Sequence, residues 1–238
     1  MGHKGGVSLK VTYIYHSCFL TETERCYYLF DYYKGNLPVL DPGKPVLVLS
    51  SHSHEDHYSA DVFSVLKEMG MQKIYAVLSC DISPKTVPRD IPCMVVSPCK
   101  SYDLPLGQKL NTWRSTDQGV AFLIRDGEEI FYHAGDLNDW VWEGESDSFN
   151  RQMTGNYRKQ IDLLAEELQG CPLSAAFVVL DPRQGKHYDI GMLYFLKKIK
   201  GNCIYPMHYW KKPQIIRKFL QEYPQYRDRI RLTEVPRS

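Results

Sequence analysis

Directly behind an unbroken apolar run, residues 45–50 (PVLVLS), three imidazoles and two carboxylates fall within six residues: His52, His54, Glu55, Asp56 and His57. The run is bounded by Pro42-Gly43 before it and polar residues after it, and suits a fully buried strand. The polar cluster therefore belongs to a loop at the end of that strand. The rest of the chain must supply enough neighbouring structure to bury the strand.

The pattern elsewhere does so. Residues 7–16 alternate apolar and polar positions, as a half-buried strand does. Residues 18–21 and 26–31 read as the next two strands, separated by a charged turn. Residues 60–69 carry apolar side chains at helical spacing (Val62, Phe63, Val65, Leu66, Met69), and residues 74–78 and 94–96 read as short buried strands. Residues 120–124 and 129–133 flank Asp126-Gly127, a strong hairpin signal. The second half turns helical. Residues 156–168 form an amphipathic helix ended by Gly170, and residues 191–199 and 213–223 form two more, with Pro213 at the first helical position. Short strands are expected at residues 175–180, 203–206 and 230–235. Strands lead, then helices and strands alternate. The order predicts an α/β (α+β) chain with two mostly antiparallel or mixed sheets and helices outside.

The 238 residues, with 43% hydrophobic and 24% charged, fit one globular domain over residues 1–238. Lys and Arg number 29 against 28 Asp and Glu, so the charge gives no reason to expect a nucleic-acid partner. No apolar run approaches the ~20 residues that span a bilayer, and no apolar segment follows the N-terminal MGHKGG. A membrane partner and a secretion signal are therefore not expected. The seven cysteines are scattered with no CxxC pair, which argues for reduced thiols packed as small core residues in the cytoplasm. None is assigned as a nucleophile.

Imidazole nitrogen and carboxylate oxygen suit zinc, and also manganese or iron. A loop at a strand end can aim His52 and His54 to one side while the adjacent Asp56-His57 pair points elsewhere, so one short loop can feed two neighbouring cations. With eight histidines in the whole chain, three in six residues are improbable by chance.

This HxHxDH pattern resembles that of the metallo-β-lactamase superfamily, and the resemblance extends over about residues 10–210. Asp31 ends an early strand, as the superfamily's first motif aspartate does. His133-Ala134-Gly135-Asp136 resembles its later Gly-Asp motif, and Met207-His208 its last ligand histidine. His16-Ser17-Cys18-Phe19-Leu20 looks like the early His-Ser stretch of the branch that contains ascorbate-6-phosphate lactonase and related hydrolases. The resemblance implies a four-layer αβ/βα sandwich with its site at one edge of the sheets. It implies that His52 and His54 hold one metal, that Asp56, His57 and His208 hold a second, and that Asp136 bridges them. Asp56 would also hold the attacking water and accept its proton. Asp31 would orient a ligand histidine.

One element of the pattern is missing. Members of the superfamily usually supply a third histidine to the first metal, before the strand that precedes the Gly-Asp motif. That stretch here runs from Trp113 to Gly119 without a histidine, with Ser115 near the expected place. Either Asp117 substitutes as an oxygen ligand, or the first metal is weakly bound or absent; one or two divalent ions are expected, zinc first.

Other residues carry two readings each. His16 and His133 either line the pocket or are satisfied core histidines. Asp181 and Arg183 either lie near the metals, with Arg183 meeting an anionic substrate group, or form a Pro-stiffened turn. Trp140 and Trp142 either wall the cleft or pack a loop. Lys186 and His187 read first as a solvated loop, as Lys211 and Lys212 do as the lead-in to a helix. The expected function is hydrolysis of a small molecule, a lactone or other ester, by metal-activated water. The alternatives are a phosphodiesterase or nuclease of the same superfamily, a non-catalytic metal or ligand binder with a degenerate site, and a diiron redox enzyme. Relatives of the last kind commonly place a carboxylate where His54 stands.

Overall fold

Period-two alternation decides how the first half packs. In β2 (Cys18–Glu22), Phe19 enters one core while Cys18 and Leu20 enter another; β3 (Tyr27–Phe30) divides Tyr28 and Phe30 from Tyr27 and Leu29 in the same way. In β4 (Val46–Ser50) Leu47 and Leu49 face the first core, and Val46 and Val48 the second. Both faces of these strands are covered, which is why residues 46–49 include no polar position. Truncating Leu49 to Ala would cost about 2–5 kcal/mol.

The computed structural model describes residues 9–232. With β1 (Lys10–Tyr15), β5 (Ile74–Ser79) and β6 (Cys93–Val96), these strands form a six-stranded sheet in the order β1-β2-β3-β4-β5-β6. It is antiparallel from β1 to β3 and parallel from β3 to β6. The second sheet runs β12-β11-β10-β9-β8-β7, from β7 (Ser101–Asp103), β8 (Lys109–Arg114), β9 (Val120–Asp126), β10 (Glu129–His133), β11 (Ala175–Val179) and β12 (Ile204–Met207). It is antiparallel from β7 to β10 and parallel from β10 to β12. The two sheets meet through aromatic side chains, among them Phe19 against Phe177 at 4.5 Å between ring centroids.

Helix α1 (Asp61–Glu68) buries Val62, Phe63 and Leu66 against the outer face of the first sheet. Helices α2 (Asp147–Leu168), α3 (Ile190–Lys198) and α4 (Gln214–Glu222) bury their apolar stripes in the core of the second. Helix–sheet–sheet–helix is the expected four-layer sandwich. Helix α2 starts nine residues before the expected 156, because the Ser146 side chain accepts from the Phe149 N–H and caps a largely exposed first stretch with no apolar period.

Four readings need correction. β6 is an edge strand with largely exposed residues, not a buried one. β7 and the polar β8 are strands that the pattern did not announce. Of the cysteines, Cys18 and Cys26 are buried, but Cys80, Cys93, Cys99 and Cys171 are exposed at strand ends, the sheet edge and turns. The strand expected at 230–235 is reduced to an isolated bridge between Ile230 and Ile204; residues 233–235 lie outside the described residues. No helix among the described residues is long and apolar enough to cross a membrane.

Parallel strands end together. β3 delivers Asp31, β4 delivers Ser51 and His52, β10 delivers the Gly-Asp turn, β11 delivers Asp181, and β12 delivers His208, all at one edge. Carboxyl ends of parallel strands are where α/β proteins collect ligands.

Candidate metal centre

Two groups of potential ligands form at that edge. His52, His54 and Asp136 make one; His16, Asp56, His57 and His208 make the other. Within each group, one ligand atom from every residue lies within 4.8 Å of all the others. Asp136 joins them. Its Oδ2 is 3.6 Å from His52 Nε2, and its Oδ1 is 3.1 Å from His57 Nε2 and 3.4 Å from His208 Nε2. All six residues expected as ligands from the sequence are therefore brought together, and His16 is added to them.

Tight backbone packing makes this convergence possible. Gly135 adopts a φ of +52°, and a Cβ there would lie 2.7 Å from Ser51 Cβ. At Gly119 (φ +71°) a Cβ would lie 2.0 Å from the Ser51 carbonyl oxygen. Only glycine lets both turns close on the Ser51-His52 segment.

Buried hydrogen bonds fix the imidazole rings. Asp31 is fully buried; it accepts from the Ser51 N–H (2.7 Å) and the Ser51 hydroxyl (2.7 Å), and it pairs with His57 Nδ1 at 2.8 Å. With its proton given to Asp31, the Ser51 hydroxyl accepts from His52 Nδ1–H at 2.9 Å. Asp181 does the same for His208 Nδ1 at 2.9 Å. Each ring thus turns its Nε2 toward the site, the usual arrangement behind metal-binding histidines. Ser51, which sequence reasoning passed over, and Asp181, whose role it left open, both belong to this support.

The electrostatics follow from burial and crowding. Burial, reinforced by His57 nearby, pushes the His52 imidazole down to about 4; burial likewise takes His16 down to about 4, with His208 and His57 adding to it. Both are held neutral, with a lone pair to give. For His57, burial works against protonation but Asp136 and Asp31 outweigh it and raise the ring well above the ordinary imidazole value. Burial alone would raise Asp136; His57 and His208 reverse this and hold it well below the carboxylate range.

The donor set fits a cation. His16 Nε2, His57 Nε2, His208 Nε2 and Asp136 Oδ1 are buried without a hydrogen bond. The ring nitrogens lie 3.1–3.4 Å from carboxylate oxygens, near enough for attraction but outside hydrogen-bond geometry. An unsatisfied buried polar atom costs about 1–3 kcal/mol. Four aimed into one small volume are what one or two divalent ions would satisfy.

The remaining candidates separate cleanly. His133 is a satisfied core histidine: its Nε2 bonds the Ser17 carbonyl (2.9 Å), its Nδ1 accepts from the Gly135 N–H (3.1 Å), and its ring stacks on Phe30. Arg183 grips Asp181 through its backbone N–H, Nε and Nη2, and lies over the Trp210 ring. Asp117 stands with its Oδ2 3.8 Å from His54 Nδ1 but outside the compact group; burial and Asp136 push its carboxyl up. Ser115 Oγ, near the place of the missing histidine, accepts from the Asp117 N–H. Trp140 donates to the Asp136 carbonyl (2.9 Å), stands edge-on to His208, and stacks on Trp142. Lys186 pairs with Glu143, and His187 joins neither group.

Comparison with known proteins agrees with this architecture. Residues 10–146 match the model of the beta-lactamase superfamily domain, and the chain belongs to this superfamily of metal-dependent hydrolases. Among solved structures it is similar to Igni18, a metallo hydrolase from Ignicoccus hospitalis, at 17% identity over 97% of this chain and 96% of that one, with a TM-score of 0.62. It is also similar to YhfI of Bacillus subtilis, a metallo-beta-lactamase fold protein, at 14% identity, 90% and 92% coverage and a TM-score of 0.57. CmlA of Streptomyces venezuelae, a diiron β-hydroxylase, is similar at 10% identity and a TM-score of 0.61, but the chain spans about half of its length (95% of this chain, 53% of that one). Such likeness establishes the fold; among curated proteins no match was found.

Proposed function

We propose that the chain hydrolyses a small ester-type substrate, a lactone first, at the centre formed by His52, His54, Asp56, His57, Asp136 and His208. The observation that carries the reading is the pair of donor groups joined through one buried carboxylate, Asp136, with His57 Nε2 and His208 Nε2 facing it unsatisfied. When bound, one or two divalent ions supply a water acidic enough to ionise near neutral pH and a field that polarises the scissile carbonyl. Zinc is the first candidate, with manganese and iron open to the same nitrogen-rich donors.

The protein's own residues do the rest. Asp31 and Asp181 hold His57 and His208 in one tautomer and orientation. The Asp56 side chain is 26% exposed, so its carboxylate can meet solvent and take a proton from an attacking water. Trp210 and Tyr33 flank His16 and offer a small organic substrate an aromatic surface. The ammonium groups of Lys34 and Lys211 lie over the Tyr15 ring beside this surface and favour a substrate with an anionic group. The lactone preference rests on the His16–Leu20 stretch, and the near-zero net charge favours a small molecule over nucleic acid. Seven scattered cysteines without a CxxC pair support a cytoplasmic setting.

The test is turnover of a panel of lactones and aryl esters beside bis(p-nitrophenyl) phosphate, with and without chelator. Chelator-sensitive lactone hydrolysis is expected, abolished in His54→Ala and in His57→Ala with the fold retained. Full activity in both variants refutes the assignment, and turnover of the phosphodiester alone moves it to the phosphodiesterase alternative.

A further inference from the structure

We infer that His16 is a metal ligand, so that His16, Asp56, His57 and His208 form the high-affinity position and the His52–His54 position is the weaker one, filled second. The inference rests on the metal-dependent reading above and adds a ligand and a loading order to it.

Size comes first. For metal–ligand bonds of about 2.1 Å, neighbouring donors on one ion lie about 3.0 Å apart and opposite ones about 4.2 Å. His16 Nε2 lies 3.3 Å from Asp56 Oδ2, and all four donor atoms of the group are within 4.8 Å of one another. Asp136 Oδ1, 3.1 Å from His57 Nε2, adds a fifth donor.

His16 is also placed as ligands are. Its Nε2 is buried and makes no hydrogen bond. Its backbone is left-handed (φ +54°), a conformation that strains a residue with a Cβ. The strain is held in place: the His16 N–H donates to the Tyr13 hydroxyl at 2.8 Å, and the His16 carbonyl accepts from His208 N–H at 3.4 Å. The two histidines therefore position each other, their rings 4.1 Å apart.

The other position is poorer. Its compact group has two histidines and the shared Asp136, with Asp117 off to one side. His54 has 44% of its side chain exposed, so its ring is less firmly held. Four donors plus Asp136 against two plus Asp136 gives the order of filling. A cation already beside Asp136 opposes the second by charge repulsion.

The experiment titrates chelator-stripped protein with cobalt(II), read by visible absorption and calorimetry, and counts histidines by X-ray absorption at one equivalent. Wild type should bind one equivalent tightly before the second, with three histidines on the first ion. Two histidines would overturn the inference, because neither position reaches three without His16. In His16→Ala the tight step should weaken by more than about 100-fold, beyond the ~10–100-fold typical of a merely supporting residue. His16→Gln serves if the alanine variant does not fold. A tight step within threefold of wild type in the folded variant, or its loss in His54→Ala, would overturn the inference. Metal-dependent hydrolysis with a two-histidine spectrum sinks this inference and leaves the function standing; three histidines with no turnover do the reverse.

Discussion

Replacing Asp31 with Asn keeps the shape and removes the charge, and the structure sets the size of the effect. Asp31 is fully buried and serves three groups, the Ser51 N–H, the Ser51 hydroxyl and His57 Nδ1. An Asn carbonyl can keep the Ser51 N–H, but its amide then faces two groups that both donate. At least one must turn away, and a hydrogen bond to a charged group contributes about 1.5–3 kcal/mol. Losing one outright and weakening the other costs about 3 kcal/mol. For a chain of this length each kcal/mol is roughly 2–4 °C in Tm, so the apo protein should melt roughly 6–12 °C lower. Because the His57 ring loses the partner that fixes its tautomer, metal affinity should fall about 10–100-fold as well. Thermal melts of the apo proteins and competition with a chromogenic zinc chelator measure both. An apo Tm and a metal affinity both matching wild type would show that Asp31 does not brace the centre.

Asp136→Asn should reduce turnover more than Asp181→Asn, because Asp136 faces both donor groups whereas Asp181 reaches them only through the far side of His208; kcat of both variants at saturating metal decides, and the reverse order would misplace the shared carboxylate. Gly135→Ala should lower Tm and metal occupancy together, since its Cβ meets Ser51 Cβ at 2.7 Å in a left-handed backbone; left-handed strain alone costs about 1–2 kcal/mol. A variant that melts and loads metal like wild type would show that the Gly-Asp turn has slack.

The fold was largely legible because burial writes itself as periodicity. β4 reads as a buried strand since both of its faces are covered, and the Asp126-Gly127 hairpin reads from its turn, where Gly127 adopts φ +61°. β7 and β8 were not legible: they run along the far edge of the second sheet, where part of each strand faces solvent and an apolar period is not needed. Within the site, His52, His54, Asp56 and His57 were legible because one loop carries them. The pairing of His16 with Asp56 was not, since 40 residues separate them and no local rule relates the β1–β2 turn to the loop after β4. Ser51 was invisible for a different reason: a serine at a strand end is common, and only the 2.7 and 2.9 Å bonds to Asp31 and His52 reveal its task.

The seven left-handed non-glycine residues among the described ones include His16, Asp31 and His208, all at this one edge. Aspartate tolerates the conformation, but the two histidines together cost about 2–4 kcal/mol, against a net stability of about 5–15 kcal/mol for a folded protein. Glycine or asparagine would adopt these turns more easily and would supply no imidazole. The strain therefore persists where the surroundings over-determine the backbone, and they do: Tyr13 holds the His16 N–H, His16 holds the His208 N–H, and Asp181 holds the His208 ring. Backbone strain at two imidazoles that meet at 4.1 Å is hard to explain by stability alone. It is accounted for if both rings have to face the same ion.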